Sequence, residues 1–160
     1  MEERNIDKVQ QLVGRQGEAL RFSVEAGAIR RYADAIGDNN PLHTDEEAAG
    51  AMGTALLAPP GFFGWPVKLQ GAMPFYPQLR VELINALAES GFCNLLDGSL
   101  DYEFFTPVAA GDVFDVVMTI KDISLKHGKS GDMVICALEF AYCRPDGALA
   151  AKVLQKIIAR

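Results

Sequence analysis

Residues 32–43 read Tyr-Ala-Asp-Ala-Ile-Gly-Asp-Asn-Asn-Pro-Leu-His, a helix end followed at once by a bend. Ile29, Tyr32, Ala33 and Ile36 recur at i, i+3, i+4 and i+7, the apolar stripe of an amphipathic helix. Gly37 is the expected stop, because glycine takes the left-handed conformation that closes helices without strain. Asn39-Asn40-Pro41 then turns the chain, since asparagine tolerates left-handed backbone and proline keeps its predecessor out of the helical region. Asp38 and His43 stand on either side of that turn. A bent loop can aim both side chains at one point, where a helical pair would lie flat on a surface.

Working outward, Ala19 to Val24 reads as a first strand, preceded by a short polar helix over 7–17. After the bend, Thr44-Asp45-Glu46-Glu47 has the form of a capping box, with Thr44 as the cap and Glu47 reaching back to it. Ala58-Pro59-Pro60-Gly61 precedes a long apolar run to Met73, read as a buried central helix with its prolines in the first turn. Pro66 falls inside that run. Either the helix kinks near Gly64-Trp65, or it starts only at Pro66. Leu79 to Glu89 reads as a further helix stopped by Gly91. Segments 99–106, 112–123, 132–143 and 148–158 then change to the two-residue alternation of strands, separated by turn signals such as Arg144-Pro145-Asp146-Gly147. Together these elements predict an α+β chain, with a four-strand meander in one antiparallel sheet wrapped around a long central helix.

The chain has 160 residues, 49% of them apolar and 22% charged, enough for one domain with a proper core. Its net charge of −6 argues against a nucleic-acid partner, which needs a basic face. The charged N-terminal residues lack the apolar core of a signal peptide, and no apolar run is long enough to cross a membrane, so a cytoplasmic location is expected. Cys93, Cys136 and Cys143 lack the spacing of a disulfide framework or a zinc site.

Adding water to an activated alkene, or removing it, needs one group to take a proton and another to return it. Histidine titrates near neutral pH and a neighbouring carboxylate can fill the second role, so Asp38 and His43 form a candidate acid/base pair with Asn40 as orienting group. Asp-Asn-Asn-Pro is also ordinary turn chemistry, and the run alone does not decide between the two. As a metal site the pair lacks a visible third and fourth ligand.

Tyr32, Ala33, Gly37, Asp38, Asn40, Pro41, Leu42, His43 and Ala48 fall in register with the signature of the MaoC-like (R)-specific enoyl-CoA hydratases, which the segment resembles. Ala58-Pro59-Pro60-Gly61-Phe62 is similar to the start of the central helix in the dehydratase-like branch, and Gly98 to Asp112 resembles the strand that follows it, with a Pro-x-x-x-Gly-Asp end. The resemblance covers residues 19–158. It implies a single hot-dog domain, a homodimer or higher oligomer formed by joining sheets, and an acyl-CoA or acyl-carrier-protein thioester held in a tunnel, as in fatty acid metabolism. No metal or redox cofactor is implied. Carried onto this chain, Asp38 and His43 become the pair that activates water. The Gly61 amide becomes the donor to the thioester oxygen. Asn40, Pro60, Phe62 and Trp65 are the candidate substrate-binding residues; Phe62, Phe63 and Trp65 either line the tunnel or form a buried aromatic cluster, which is more often simple packing. Hydration of 2-enoyl thioesters and dehydration of (R)-3-hydroxyacyl thioesters are two directions of one equilibrium.

Two departures stand out. Ile36 occupies a position where the hydratase pattern prefers a small, serine-like residue. Residues 74–97 form a helix-bearing excursion, expected as a lid, extra dimer surface or a wall of the acyl tunnel. Arg30 and Arg31 read as solvated helix residues, and His127 as an exposed turn residue that Lys126 and Lys129 could join in meeting a CoA phosphate. Two alternatives remain open from sequence: a non-catalytic hot-dog subunit completing a partner's tunnel, and a thioester hydrolase. Hydrolysis is the weaker, because residues 59–73 contain no Asp or Glu.

Overall fold

The computed structural model describes residues 5–64, 77–128 and 131–160. Three long strands dominate the C-terminal half: β3 (Val113–Gly128), β4 (Gly131–Cys143) and β5 (Leu149–Ala159), each antiparallel to the next. β1 (Leu20–Ser23) adds to the free side of β3, and β2 (Leu95–Phe104) adds to the free side of β5, giving the order β1-β3-β4-β5-β2. The expected four-strand meander is therefore corrected. Only β3, β4 and β5 follow one another by hairpins, while β2 crosses to the far edge. Alternation cannot reveal this, because it fixes which face a residue takes and not which strand lies beside it.

The alternation itself is as read. Phe114, Val116, Met118 and Ile120 are buried, as are Val134, Cys136, Leu138 and Tyr142. A register shift between Ile120 and Asp122 lets Ile123, rather than residue 122, return to the core.

The helix packed on this face is α5 (Gln78–Glu89), numbered after α1 (Asp7–Gln10), α2 (Ala26–Ile36), α3 (Pro41–Thr44) and α4 (Glu46–Ala51). Its Leu79, Leu83 and Leu87 repeat at i, i+4 and i+8 and are buried with Met118, Ile120, Val134, Cys136, Leu138 and Ile157. Burial of each such leucine contributes about 1.5–3 kcal/mol. The segment expected as a lid, extra dimer surface or tunnel wall thus supplies a helix packed on the core. The central helix expected across 59–73 lies largely outside the described residues, together with Trp65 and Pro66. Its described part, Phe62–Gly64, is a short 3-10 turn. An antiparallel sheet with a helix against its inner face is the hot-dog fold, in the α+β class.

A second cluster occupies the other end of the sheet and supports the bend that carries His43. Phe22, Ile29, Phe62, Phe63, Phe114 and Tyr142 are buried together, with Phe63 stacked on Tyr142 at 4.1 Å between ring centroids.

Candidate active site

Most polar side chains of the bend have a local backbone role. Gly37 closes α2 at φ 71°, in the left-handed region as expected. Asp38 Oδ1 accepts the Asn40 N–H at 3.0 Å, and Asn40 Oδ1 accepts the Leu42 N–H at 3.1 Å as the cap of α3. Pro41 takes the first helical position, where its missing donor is no loss. The cap of α4 is Asp45 rather than Thr44: its carboxylate accepts from Glu47 N and Ala48 N. Arg30, expected as a solvated residue, donates to the Thr44 carbonyl at 3.3 Å and pairs with Glu46, tying α2 to the end of α3.

Turn chemistry and a convergent site are thus the same structure. His43 is only 8% exposed. Its Nδ1 lies 2.7 Å from the Leu57 carbonyl oxygen, which can only accept, so this hydrogen bond assigns the ring hydrogen to Nδ1. Nε2 is left with a lone pair. It faces Asn40 Nδ2 at 3.4 Å and Asp38 Oδ2 at 3.6 Å. The second distance exceeds a direct hydrogen bond and suits one small molecule held by both groups.

Beside the imidazole is a cavity of about 330 Å³, lined by His43, Leu57, Ala58 and Pro60 on one side and by Phe104 to Val108 on the other. Apart from His43 and Thr106 its side chains are apolar. Of the candidate substrate-binding residues, Pro60 lines this cavity. Phe62 does not: it is 1% exposed and packs edge-on against Tyr32, at 6.0 Å between centroids, within the core.

Gly61 is not in the first turn of an α-helix among the described residues. It has φ 87° and leads into the 3-10 turn. Its carbonyl accepts from the Tyr102 hydroxyl at 3.4 Å, and it is absent from the cavity lining. Burial raises the pKa of both Tyr32 and Tyr102, and the nearby Tyr32 raises that of Tyr102 further. Ile36 is 52% exposed and so does not fill the space beside His43. His127 is exposed, as expected, but lies in β3 rather than in a turn, and pairs with Asp132 at 2.8 Å. Lys129 lies outside the described residues.

Sequence reasoning missed the Leu57 carbonyl, for which no side-chain signal exists, and the Phe104 to Val108 wall. The Phe-Phe-Thr-Pro run was a usable hint to the latter. Among the described residues, no group of three His, Cys, Asp or Glu side chains is arranged to hold a metal ion. No helix there is long and apolar enough to cross a membrane. The core helix α5 carries Glu82, which is half-buried and paired with Arg15 at 2.8 Å.

Comparisons with known proteins give the family and the fold. A family described as "FAS1-like, dehydratase domain region" matches residues 11–153. A UPF0336 protein of Streptomyces avermitilis is 36% identical over 109 residues, 67% of each chain. The "Probable enoyl-CoA hydratase alpha subunit" of Thermomonospora curvata is 31% identical over 73% of this chain and 39% of its own length. Among solved structures, the ChsH1-ChsH2 complex of Mycobacterium tuberculosis superposes with a TM-score of 0.72 at 19% identity, over 96% of this chain and 92% of that one. The HadBC (3R-hydroxyacyl-ACP dehydratase) complex of the same organism gives 0.71 at 21% identity, over 92% and 96%. These two show the fold. The chain belongs to the FAS1-like dehydratase family of MaoC-like hot-dog proteins.

Proposed function

We propose that the protein hydrates 2-enoyl thioesters, or dehydrates (R)-3-hydroxyacyl thioesters, with Asp38 and His43 as its acid/base pair. The observation that carries this reading is the 3.6 Å spacing of Asp38 Oδ2 and His43 Nε2 beside an apolar cavity, with Nδ1 already committed to Leu57. A water between the two groups would lose a proton to Nε2 as its oxygen bonds to C3 of the enoyl chain. A proton returned to C2 completes the addition, and Asp38 holds the same water and serves as the second proton carrier. Asn40 Nδ2 orients the ring from the side. The cavity takes the start of the acyl chain, and CoA is the preferred thioester because the chain is acidic overall.

Negative charge on the thioester oxygen needs a donor. The Gly61 N–H is our candidate: it follows two prolines that have no N–H, and it has no acceptor among the described residues.

The assembly reading rests on β2. Leu95, Leu96, Leu100 and Phe104 are 38–51% exposed along a ten-residue strand whose outer edge has no partner among the described residues. Such an edge recruits another strand. A second copy of the chain is the proposed occupant.

Purified protein should consume crotonyl-CoA, or longer and branched enoyl-CoAs, with loss of enoyl absorbance. Absence of turnover across that panel and the matching carrier-protein thioesters would sink the assignment.

A further inference from the structure

We propose that Arg144 and Asp112 are positioning residues that set the tautomer of His43 through the Leu57 carbonyl; this rests on the reading of His43 as a proton-transfer group. Arg144, at the end of β4, holds the Asp112 carboxylate with two bonds, Nη1 to Oδ1 at 2.7 Å and Nη2 to Oδ2 at 3.2 Å. The same Nη2 donates to the Pro107 carbonyl at 3.2 Å, and the guanidinium lies 5.4 Å from the centre of the Phe114 ring. Asp112 Oδ2 in turn accepts the Ala109 N–H at 3.0 Å. One ion pair therefore folds residues 107–112 into a fixed loop.

That loop is paired with the segment holding Leu57. Ala58 donates to the Val108 carbonyl at 2.7 Å, Ala110 donates to the Leu56 carbonyl at 2.8 Å, and Leu57 bridges Ala109 between them. In an antiparallel pair the residue between two such bonds points its own N–H and C=O away from the partner strand. Those of Leu57 accordingly face the bend: its N–H donates to the Leu42 carbonyl at 2.9 Å, and its oxygen meets His43 Nδ1 at 2.7 Å. The direction of one carbonyl thus follows from the pairing, and the pairing follows from the Arg144–Asp112 clamp. A ring whose Nδ1 anchor loosens can place its hydrogen on Nε2, which removes the lone pair facing Asp38.

The chain has two histidines, so two-bond proton–nitrogen correlation spectra can follow the His43 ring directly, with His127→Asn assigning the other signals. In the unaltered protein the ring hydrogen should be on Nδ1. In Arg144→Gln and in Asp112→Asn, which keeps an acceptor for Ala109, the Nδ1–H population should fall. The kcat should drop about 10-fold or more with KM within about 2-fold, as expected for a misaligned proton-transfer group. Arg144→Lys, which keeps the charge without the fork, should be intermediate and guards against a variant that fails to fold. Folded variants with unchanged tautomer and kcat would overturn the proposal, as would a hydrogen on Nε2 in the unaltered protein. The spectra need no substrate. If no thioester is turned over, a tautomer change in the variants upholds the clamp while the hydratase reading alone fails.

Discussion

The Tyr32 hydroxyl oxygen lies 2.5 Å from the point that a β-carbon on Gly61 would occupy, and Gly61 has φ 87°. Two separate restraints therefore demand glycine at one position. Gly61→Ala should be destabilising by about 1 kcal/mol from backbone strain alone. The clash adds to that. Tyr32→Phe removes the offending oxygen and leaves the ring carbon at an ordinary 3.7 Å. Urea denaturation of the two single variants and the double should show Gly61→Ala to be less damaging when Tyr32 is phenylalanine. Strict additivity would mean that the hydroxyl imposes nothing.

Asp38→Asn and His43→Ala should each lower the hydration rate by about 100-fold or more, the usual contribution of a positioned acid or base. Asn at 38 can still accept from Asn40 N–H, so the bend should survive. Melting temperatures measured beside the rates separate chemistry from folding. Variants with the parental rate would remove the pair from the mechanism.

Burial pushes the Cys136 thiol from 9.0 to about 12, with the nearby Asp122 adding to the rise, and burial raises Tyr142 as well. For both groups the folded state favours the protonated form. Their contribution to stability is thus complete below the unfolded pKa and declines as pH rises toward the folded one, so stability should fall between pH 9 and about 12. Denaturant midpoints over that range test the sign. At neutral pH a thiol reagent should label the exposed Cys93 well before Cys136.

Leu96→Lys places a charge on the β2 edge where a half-exposed leucine stands. If a second copy joins there, sedimentation should show a shift toward monomer, with the fold retained by circular dichroism. An unchanged oligomer would place the interface elsewhere, and a parent that is monomeric alone but pairs with a related hot-dog chain would give the edge a different occupant.

Much of this architecture is written locally in the chain. Gly37 ends its helix and Phe114, Val116, Met118 and Ile120 turn inward because single-residue preference and alternation suffice to place them. Asp38 and His43 could be paired from sequence because only a short bend separates them. The position of β2 beside β5 was not legible, since strand order depends on loop crossings that no local pattern encodes. Helix α5 is legible as a helix, but its place is not: lid, dimer surface and tunnel wall all fit its sequence. Its leucine stripe is buried by strands that come later in the chain, and the apolar run before it looked like the better core. For Phe62 the sequence leaves wall and packed core both open, because only an aromatic's neighbours decide between them. The Leu57 carbonyl was beyond reach, because backbone atoms carry no sequence label.

Strand order also bears on when the site can exist. β3, β4 and β5 pair by adjacent hairpins, whereas β1 and β2 must each find a partner far along the chain, and such closures are slow. The carbonyl that fixes His43 depends on Leu57 meeting Ala109 across a similar separation. During refolding the hairpins should therefore appear first and the anchoring of His43 last. A chain caught midway would have its sheet signal and a loose imidazole.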